Sequence, residues 1–293
     1  MKSHLLLLRP MQWMKNVFVF APVFFSNNLL HLDSFLQVMT VFSSFCLASS
    51  AIYCLNDIID AENDRKHPVK CKRPVASGKV AVKSAYSLMA GCILLSIGLL
   101  FFSQHLQDLY STIAIIITYL LINIAYCLKL KQKAVADVFV IALGFVLRVL
   151  SGSTATGIEA SAWLILMTFL LALFLALAKR RDDFRLFSQT GKKPRMSITG
   201  YNAVFIDLSI AIVATMTLVC YIMYTLSEQV IERFGSSHVY LTSIFVLVGI
   251  MRYLQNMLVY ERSGSPTKAV IKDHYIQLCI AAWMLSFFVI IYL

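Results

Sequence analysis

Asn56-Asp57-Ile58-Ile59-Asp60-Ala61-Glu62-Asn63-Asp64 closes an apolar run that begins near residue 38 and opens a basic connection. Carboxylates beside a bilayer-sized hydrophobic stretch cost free energy unless a cation sits among them. On a helix advancing about 100° per residue, Asn56, Asp57, Asp60 and Asp64 fall within one arc of roughly 100°, and Tyr53 joins them one turn earlier. Glu62 points to the other side and reads as a solvated residue. Oxygen-only ligands favour Mg²⁺, which is normally held by one or two carboxylates together with substrate phosphates. The expected occupant is therefore Mg²⁺ carrying a phosphate group. The bland alternative, a polar helix cap at the membrane surface, needs one carboxylate and not four side chains on one face.

Working outward, 59% of the chain is hydrophobic and 14% charged, with a mean hydropathy of +0.75. A soluble globular chain carries an apolar share of about 45–50%. The expectation is an all-α polytopic membrane protein, a single integral membrane domain over residues 1–293. Apolar runs long enough to cross a hydrocarbon core of about 30 Å fall at 17–32, 38–58, 82–103, 109–128, 135–153, 161–179, 202–226, 239–257 and 275–292, nine expected helices. Residues 1–16 read as an interfacial segment, since Leu5–Leu8 is followed at once by Arg9-Pro10 and does not resemble a cleavable signal. Residues 59–81 and 180–201 read as active-site loops.

The basic residues orient the chain. Lys2, Arg9 and Lys15 precede the first run, and the same side receives Arg65 to Lys83, Lys129 to Lys133, Lys179 to Arg195, and Arg262 to Lys272. The opposite connections, near Asp33, Asp108, Glu159 and Glu228, are short and almost free of Lys and Arg. By the positive-inside rule the amino terminus and the site are cytoplasmic and the carboxyl terminus is outside, in a plasma membrane. The net charge of +11 is then one-sided and explained by topology and anionic lipid, not by nucleic acid. The seven Cys residues are scattered and form no CxxC pair, so they read as small core residues.

A second polar cluster, Lys179-Arg180-Arg181-Asp182-Asp183, ends the sixth expected helix, four helices after the first cluster. Lys179, Arg180 and Asp183 share an arc of roughly 100°, whereas Arg181 points away. Such cations either grip phosphate oxygens, Arg as a fork and Lys as a point charge, or form a topological charge run. Equivalent placement of the two clusters suggests a weak internal duplication with a site between the halves. Asp137 and Arg148 lie eleven residues apart in the fifth helix, on one face and about 16 Å apart. Arg148 either faces the bundle interior or snorkels to the outer surface. Arg195-Met196-Ser197 with Tyr201 opens the seventh helix, where a cation and free N–H groups suit an anion. Trp13 reads as an interfacial belt residue.

Asn-Asp-x-x-Asp-x-x-x-Asp at 56–64, on a nine-helix chain with a second polar motif after the sixth helix, resembles the UbiA superfamily of intramembrane prenyltransferases. Ordinary members carry a second aspartate-rich motif where this chain has Lys179-Arg180-Arg181-Asp182-Asp183. The resemblance is therefore closer to the branch of polyprenyl-phosphate phosphoribosyltransferases. It is carried by Arg9-Pro10-x-Gln12-Trp13-x-Lys15-Asn16, Asn56 to Pro74, Ala125 to Lys131, Gly144 to Arg148, Lys179-Arg180-x-x-Asp183 and Arg195-x-Ser197-x-x-x-Tyr201. Where that branch tends to have Glu, this chain has Asp183.

The resemblance implies a UbiA-like bundle and Mg²⁺-dependent transfer of 5-phosphoribose from 5-phosphoribosyl diphosphate to a polyprenyl phosphate of the decaprenyl type. It implies Asp57, Asp60, Lys179 and Arg180 as catalytic, and Asn56, Asp57, Asp60 and Asp64 as metal ligands. Lys15, Tyr53, Arg65, Lys70, Arg73, Tyr126, Lys129, Asp137, Arg148, Asp183, Arg195 and Tyr201 are the expected substrate contacts. The implied partners are the lipid-phosphate acceptor, the donor and the membrane, with a homo-oligomer left open. Two other readings stand beside it: a prenyltransferase acting on an aromatic acceptor, and an anion transporter.

Overall fold

The computed structural model describes residues 2–66, 69–103, 106–191, 196–260 and 272–292. Among these, every regular element is helical. Seven helical segments are long and apolar enough to cross a membrane: Leu32–Ile59, Val82–Phe101, Leu109–Leu128, Ala136–Thr156, Ala162–Thr190, Ala203–Thr225 and Ser237–Leu258. A shorter apolar helix covers His274–Ile290. In chain order the α-helices are α1 (Lys2–Leu8), α2 (Ala21–Phe25), α3 (Leu32–Ile59), α4 (Ala61–Arg65), α5 (Val82–Phe101) and α6 (Leu109–Leu128). They continue with α7 (Ala136–Thr156), α8 (Ala162–Thr190), α9 (Ala203–Thr225), α10 (Glu228–Phe234), α11 (Ser243–Leu258) and α12 (His274–Tyr292).

The chain divides into two compact units, residues 1–131 with 143–160, and residues 132–142 with 161–293. In the first, α3 packs against α5, α6, α1 and the 3-10 helix Pro10–Phe20. Its core gathers Val19, Val23, Val38, Val41, Phe45, Ala48, Ile116 and Leu120. Ser44 and Ser96 exchange hydrogen bonds at 2.8–2.9 Å between α3 and α5, which lets two small faces approach without stranding a hydroxyl in apolar surroundings. In the second, α9 packs on α8 and α11, and α12 on α11, with Trp283 donating to Tyr221 at 2.7 Å.

Four segments differ from the sequence expectation. The run at 17–32 is not one α-helix: a 3-10 helix Pro10–Phe20 is followed by the five-residue α2 and a turn with Asn27 at φ 61°. Arg9 enters it in the left-handed region, and Pro10 and Pro22 withhold backbone donors. Close packing also shapes it, because a Cβ on Gly152 would stand 2.0 Å from the Val19 carbonyl oxygen. The spans expected at 38–58 and 161–179 extend further, α3 starting at Leu32 and α8 running on to Thr190. Residues 180–190, expected as the start of a loop, are thus about three further turns of helix. The 59–81 connection likewise contains α4 and the 3-10 turn Lys70–Lys72.

Candidate active site

The end of α3 delivers the first cluster. The helix stops at Ile59, Asp60 caps it at φ −87° and ψ −1°, and α4 resumes at Ala61. Backbone bonds from Asp60 to Asn56 (3.0 Å) and from Asp64 to Asp60 (2.8 Å) carry the helical stagger across the break. Asp57 and Asp64 are buried, Asp60 is half-buried, and Glu62 is exposed. The shared face is therefore kept although the helix is interrupted.

Cations already lie on these carboxylates. Arg9 and Arg73 both approach Asp57 Oδ1, Arg73 at 3.5 Å, and Arg73 pairs with Asp64 Oδ2 at 2.6 Å. Lys131 Nζ sits 2.5 Å from Asp60 Oδ1. Cys127 Sγ lies 3.8 Å from Asn56 Oδ1. Asp57 Oδ2 is buried with no hydrogen-bond partner, an acceptor lacking a donor or cation. Among the described residues no three His, Cys, Asp or Glu side chains form a protein-only metal cage. An all-oxygen donor set with one orphaned buried oxygen fits Mg²⁺, whose remaining positions belong to waters and phosphates.

Around it, the Arg9 guanidinium lies over the Tyr53 ring at 4.8 Å. Leu7 of α1 is fully buried against Cys54, Ala61, Val75, Val80 and Ala85, which fixes the segment carrying Arg9. Arg148 is 6% exposed, so the interior alternative holds and the snorkelling one does not. Arg148 donates to Asn16 Oδ1 at 2.7 Å, to the Gly144 carbonyl at 2.5 Å and to Tyr119 Oη at 3.2 Å. The Lys15 ammonium is pushed down to about 8 by burial first, then by Arg148 and Arg9. Trp13 is more than a belt residue, donating to Ser50 Oγ at 3.0 Å.

The second unit holds a separate network. Arg180 is fully buried with its Nε 3.0 Å from Asp137 Oδ2 and its Nη1 2.6 Å from Asp183 Oδ2. The Nε contact is an ion pair without hydrogen-bond alignment, and Nη2 has no partner. Asp137 also accepts from Ser197 at 2.9 Å and from Tyr201 at 2.7 Å. Tyr201 Oη in turn accepts from the Val135 N–H at 2.8 Å, where the backbone takes φ 68°. Burial, then the bond to Asp137, holds the Tyr201 phenol above its ordinary range. Arg181, expected to point away, pairs with Asp207 at 2.6 Å.

Of the expected site residues, Asn56, Asp57, Asp60, Asp64 and Arg73 come together in the first unit, as do Arg180, Asp137, Asp183 and Tyr201 in the second. Arg65 is exposed and its Nε turns to the Ala76 carbonyl at 3.3 Å. Lys129 is an exposed α6 cap; Lys70, Tyr126 and Lys179 are half-buried. Arg195 lies outside the described residues. Arg9, Lys131, Asn16, Tyr119 and Ser197 were missed as site residues. Arg9, Asn16, Lys131 and Ser197 carried a signal, from their place in the motifs; Tyr119 carried none.

The helical fold and the acidic site on the last turn of a membrane-length helix define an integral membrane enzyme. The UbiA prenyltransferase family model matches residues 17–272. The chain belongs to that family. It is 30% identical over 288 residues to decaprenyl-phosphate phosphoribosyltransferase of Corynebacterium glutamicum, covering 98% of this chain and 86% of the relative. To the Mycolicibacterium smegmatis protein of the same name it is 33% identical, covering 94% and 88%. A solved UbiA homologue from Archaeoglobus fulgidus bound to DMAPP and Mg²⁺ superposes with a TM-score of 0.71 at 18% identity, covering 99% of both chains.

Proposed function

We propose that the protein transfers 5-phosphoribose from 5-phosphoribosyl diphosphate to a polyprenyl phosphate, releasing diphosphate, in the synthesis of a cell-envelope glycolipid precursor. The observation that carries this reading is the near full-length similarity to two relatives that bear that activity in their names. The internal pairing of Arg180 with Asp137 and Asp183 supports it against two-metal prenyl transfer, because those carboxylates are engaged with a protein cation.

Asn56, Asp57, Asp60 and Asp64 would hold Mg²⁺, which neutralises a leaving diphosphate when bound. The C1–O bond of the donor breaks with its electron pair leaving on diphosphate, and positive charge develops on the ribose. An oxygen of the lipid phosphate forms the new bond to C1 from the opposite face. That oxygen is already anionic, so no strong general base is required. Arg9, Arg73 and Lys131 steady the carboxylates and the diphosphate oxygens. Arg148 and Lys15 serve the donor and Lys179 the acceptor phosphate, while Arg180 holds Asp137 and Asp183 within the second unit. Nine crossings, with 17–32 and 275–292 added to the seven long helical segments, put the amino terminus and the site in the cytoplasm and the carboxyl terminus outside.

Purified protein given Mg²⁺, phosphoribosyl diphosphate and polyprenyl phosphate should yield a pentosylated lipid. Prenylation of a quinone precursor without pentosyl transfer would overturn this reading in favour of an aromatic prenyltransferase. Solute movement across sealed vesicles without bond cleavage would favour a transporter.

A further inference from the structure

Arg9 is one of three described non-glycine residues at positive φ, with φ 52° and ψ 60°. It also precedes Pro10, and a proline disfavours helical backbone in the residue before it. A residue stays in such a conformation only where the structure around it over-determines the backbone. Leu7, two residues earlier, is fully buried. The Leu8 carbonyl accepts from Ser50 Oγ at 2.9 Å, and that hydroxyl accepts in turn from Trp13 Nε1 at 3.0 Å. Ser50 is itself fully buried and also bonds back to the Cys46 carbonyl at 2.8 Å, the i to i−4 bond available to a helical serine. At the far end of α1, His4 meets Ser84 of α5 at 3.0 Å.

Ser50, Tyr53 and Asp57 stand at i, i+3 and i+7 of α3, a single face about 10 Å long. That face receives the turn in order: the Leu8 carbonyl at Ser50, the Arg9 guanidinium over the Tyr53 ring at 4.8 Å, and Arg9 Nη2 on Asp57 Oδ1. The clasp at Ser50 therefore aims Arg9 at Asp57, which is 1% exposed. Arg73 approaches the same oxygen and pairs with Asp64, and Lys131 sits on Asp60, so three carboxylates face three cations. A divalent metal alone would leave two excess positive charges among acids that are largely buried, and uncompensated buried charge is costly. A metal that arrives with a diphosphate brings the compensating anion with it.

We propose that Ser50 and Trp13 are positioning residues that hold Arg9 on Asp57 as a resident counter-ion, and that this clasp makes metal binding conditional on diphosphate. The assignment rests on the metal and diphosphate site proposed above and is independent of which group is transferred. With metal alone, the Arg9 guanidinium must give up Asp57 while its backbone stays seated on Ser50, and it finds no other anion. With a diphosphate present, it has phosphate oxygens to take instead. Metal and diphosphate then raise each other's affinity by the same factor, and the clasp sets part of that factor.

The test uses the full-length protein in detergent and two probes. Mn²⁺ alone is followed by loss of its free-ion electron paramagnetic resonance signal, and inorganic diphosphate in excess Mg²⁺ is titrated calorimetrically. Ser50→Ala and Trp13→Phe each loosen the clasp, so Mn²⁺ alone should bind about fivefold tighter, the factor that one net hydrogen bond is worth. Diphosphate in excess Mg²⁺ should show no such gain. A general loosening of the fold would weaken the metal, not tighten it. In an Arg9→Gln background, Ser50→Ala should shift Mn²⁺ affinity by less than about twofold, because the clasp then has no cation to aim. Unchanged or weaker Mn²⁺ binding in the folded single variants, an equal gain for both probes, or the full shift persisting without Arg9 overturns the proposal. Should Ser50→Ala fail to fold, Trp13→Phe decides alone, since it leaves the bonds from Ser50 to Leu8 and Cys46 in place. The expected shifts without any pentosyl transfer would sink the proposed reaction and leave the clasp standing. Pentosyl transfer by the parent, with Mn²⁺ affinity unmoved in both variants, would do the reverse.

Discussion

Asp137→Ala should destabilise the protein before it affects chemistry, and its size follows from the geometry. Asp137 and Arg180 are both fully buried and 3.0 Å apart. Truncating one partner of a buried pair typically costs about 3–5 kcal/mol, because the remaining charge is left uncompensated. Two features pull in opposite directions here. Asp183 stays 2.6 Å from Arg180 and limits the loss. The Ser197 and Tyr201 hydroxyls lose their shared acceptor at 2.9 and 2.7 Å, which adds to it. These terms are not additive within one network, and the expected total stays at about 3–5 kcal/mol. Detergent-resolved SDS titration followed by tryptophan fluorescence would read it, with Trp163 and Trp283 both in the second unit. Asp137→Leu combined with Arg180→Met should recover most of the loss, since an apolar pair of similar volume is often neutral or better. A folded Asp137→Ala within about 0.5 kcal/mol of the parent, yet unable to turn over, would refute the bracing role and return Asp137 to the substrate.

Asp57→Ala and Asp60→Ala should abolish turnover while Glu62→Ala, exposed on the other side, is close to silent in steady-state kinetics; equal loss in all three would undo the shared-face argument. Gly152→Ala should lower stability by about 3 kcal/mol or more in the same SDS titration, because overpacking against the Val19 carbonyl at 2.0 Å has no side chain to displace. With Lys15 near 8, donor KM should rise as pH passes above about 8 and the ammonium deprotonates, and Lys15→Gln should flatten that rise. Tyr201 is raised above its ordinary range, so its stability contribution is complete below about pH 10 and declines at higher pH; Tyr201→Phe should remove that alkaline slope.

The apolar runs at 82–103, 109–128 and 202–226 were legible because no proline and no run of charges interrupts them, and the helices end within about two residues of expectation. The run at 17–32 was misjudged because hydropathy is blind to backbone donors: Pro10, Pro22 and the Asn27 turn divide a segment whose side chains remain apolar. Residues 180–190 failed for the opposite reason. A charged run reads as solvent-facing, yet Arg180 finds Asp137 and Asp183, and Arg181 finds Asp207, so the helix continues with its charges paired internally. In the candidate site, the acids were visible from their spacing, but their cations were not. Arg9 meets Asp57 across 48 residues and Lys131 meets Asp60 across 71, and no local pattern carries pairing at that separation.

The two polar clusters look alike as strings and differ in what their charges are free to do. In the second, both oxygens of Asp137 are occupied and Arg180 lies at zero exposure, so opening it requires breaking a buried network. In the first, Arg9, Arg73 and Lys131 are each 16–25% exposed, although Asp57 and Asp64 beneath them are buried. The cations can move toward solvent as they leave, whereas the buried carboxylates need a replacement cation in their place. A metal arriving with a diphosphate offers both sides of the exchange at once: the carboxylates gain a divalent cation and the displaced side chains gain phosphate oxygens. The cluster is therefore stable without its ligand and ready for it. A network as closed as the one around Arg180 lacks that property, which is why the carboxylates where α3 passes into α4, and not those paired with Arg180, are the ones fit to hold a metal.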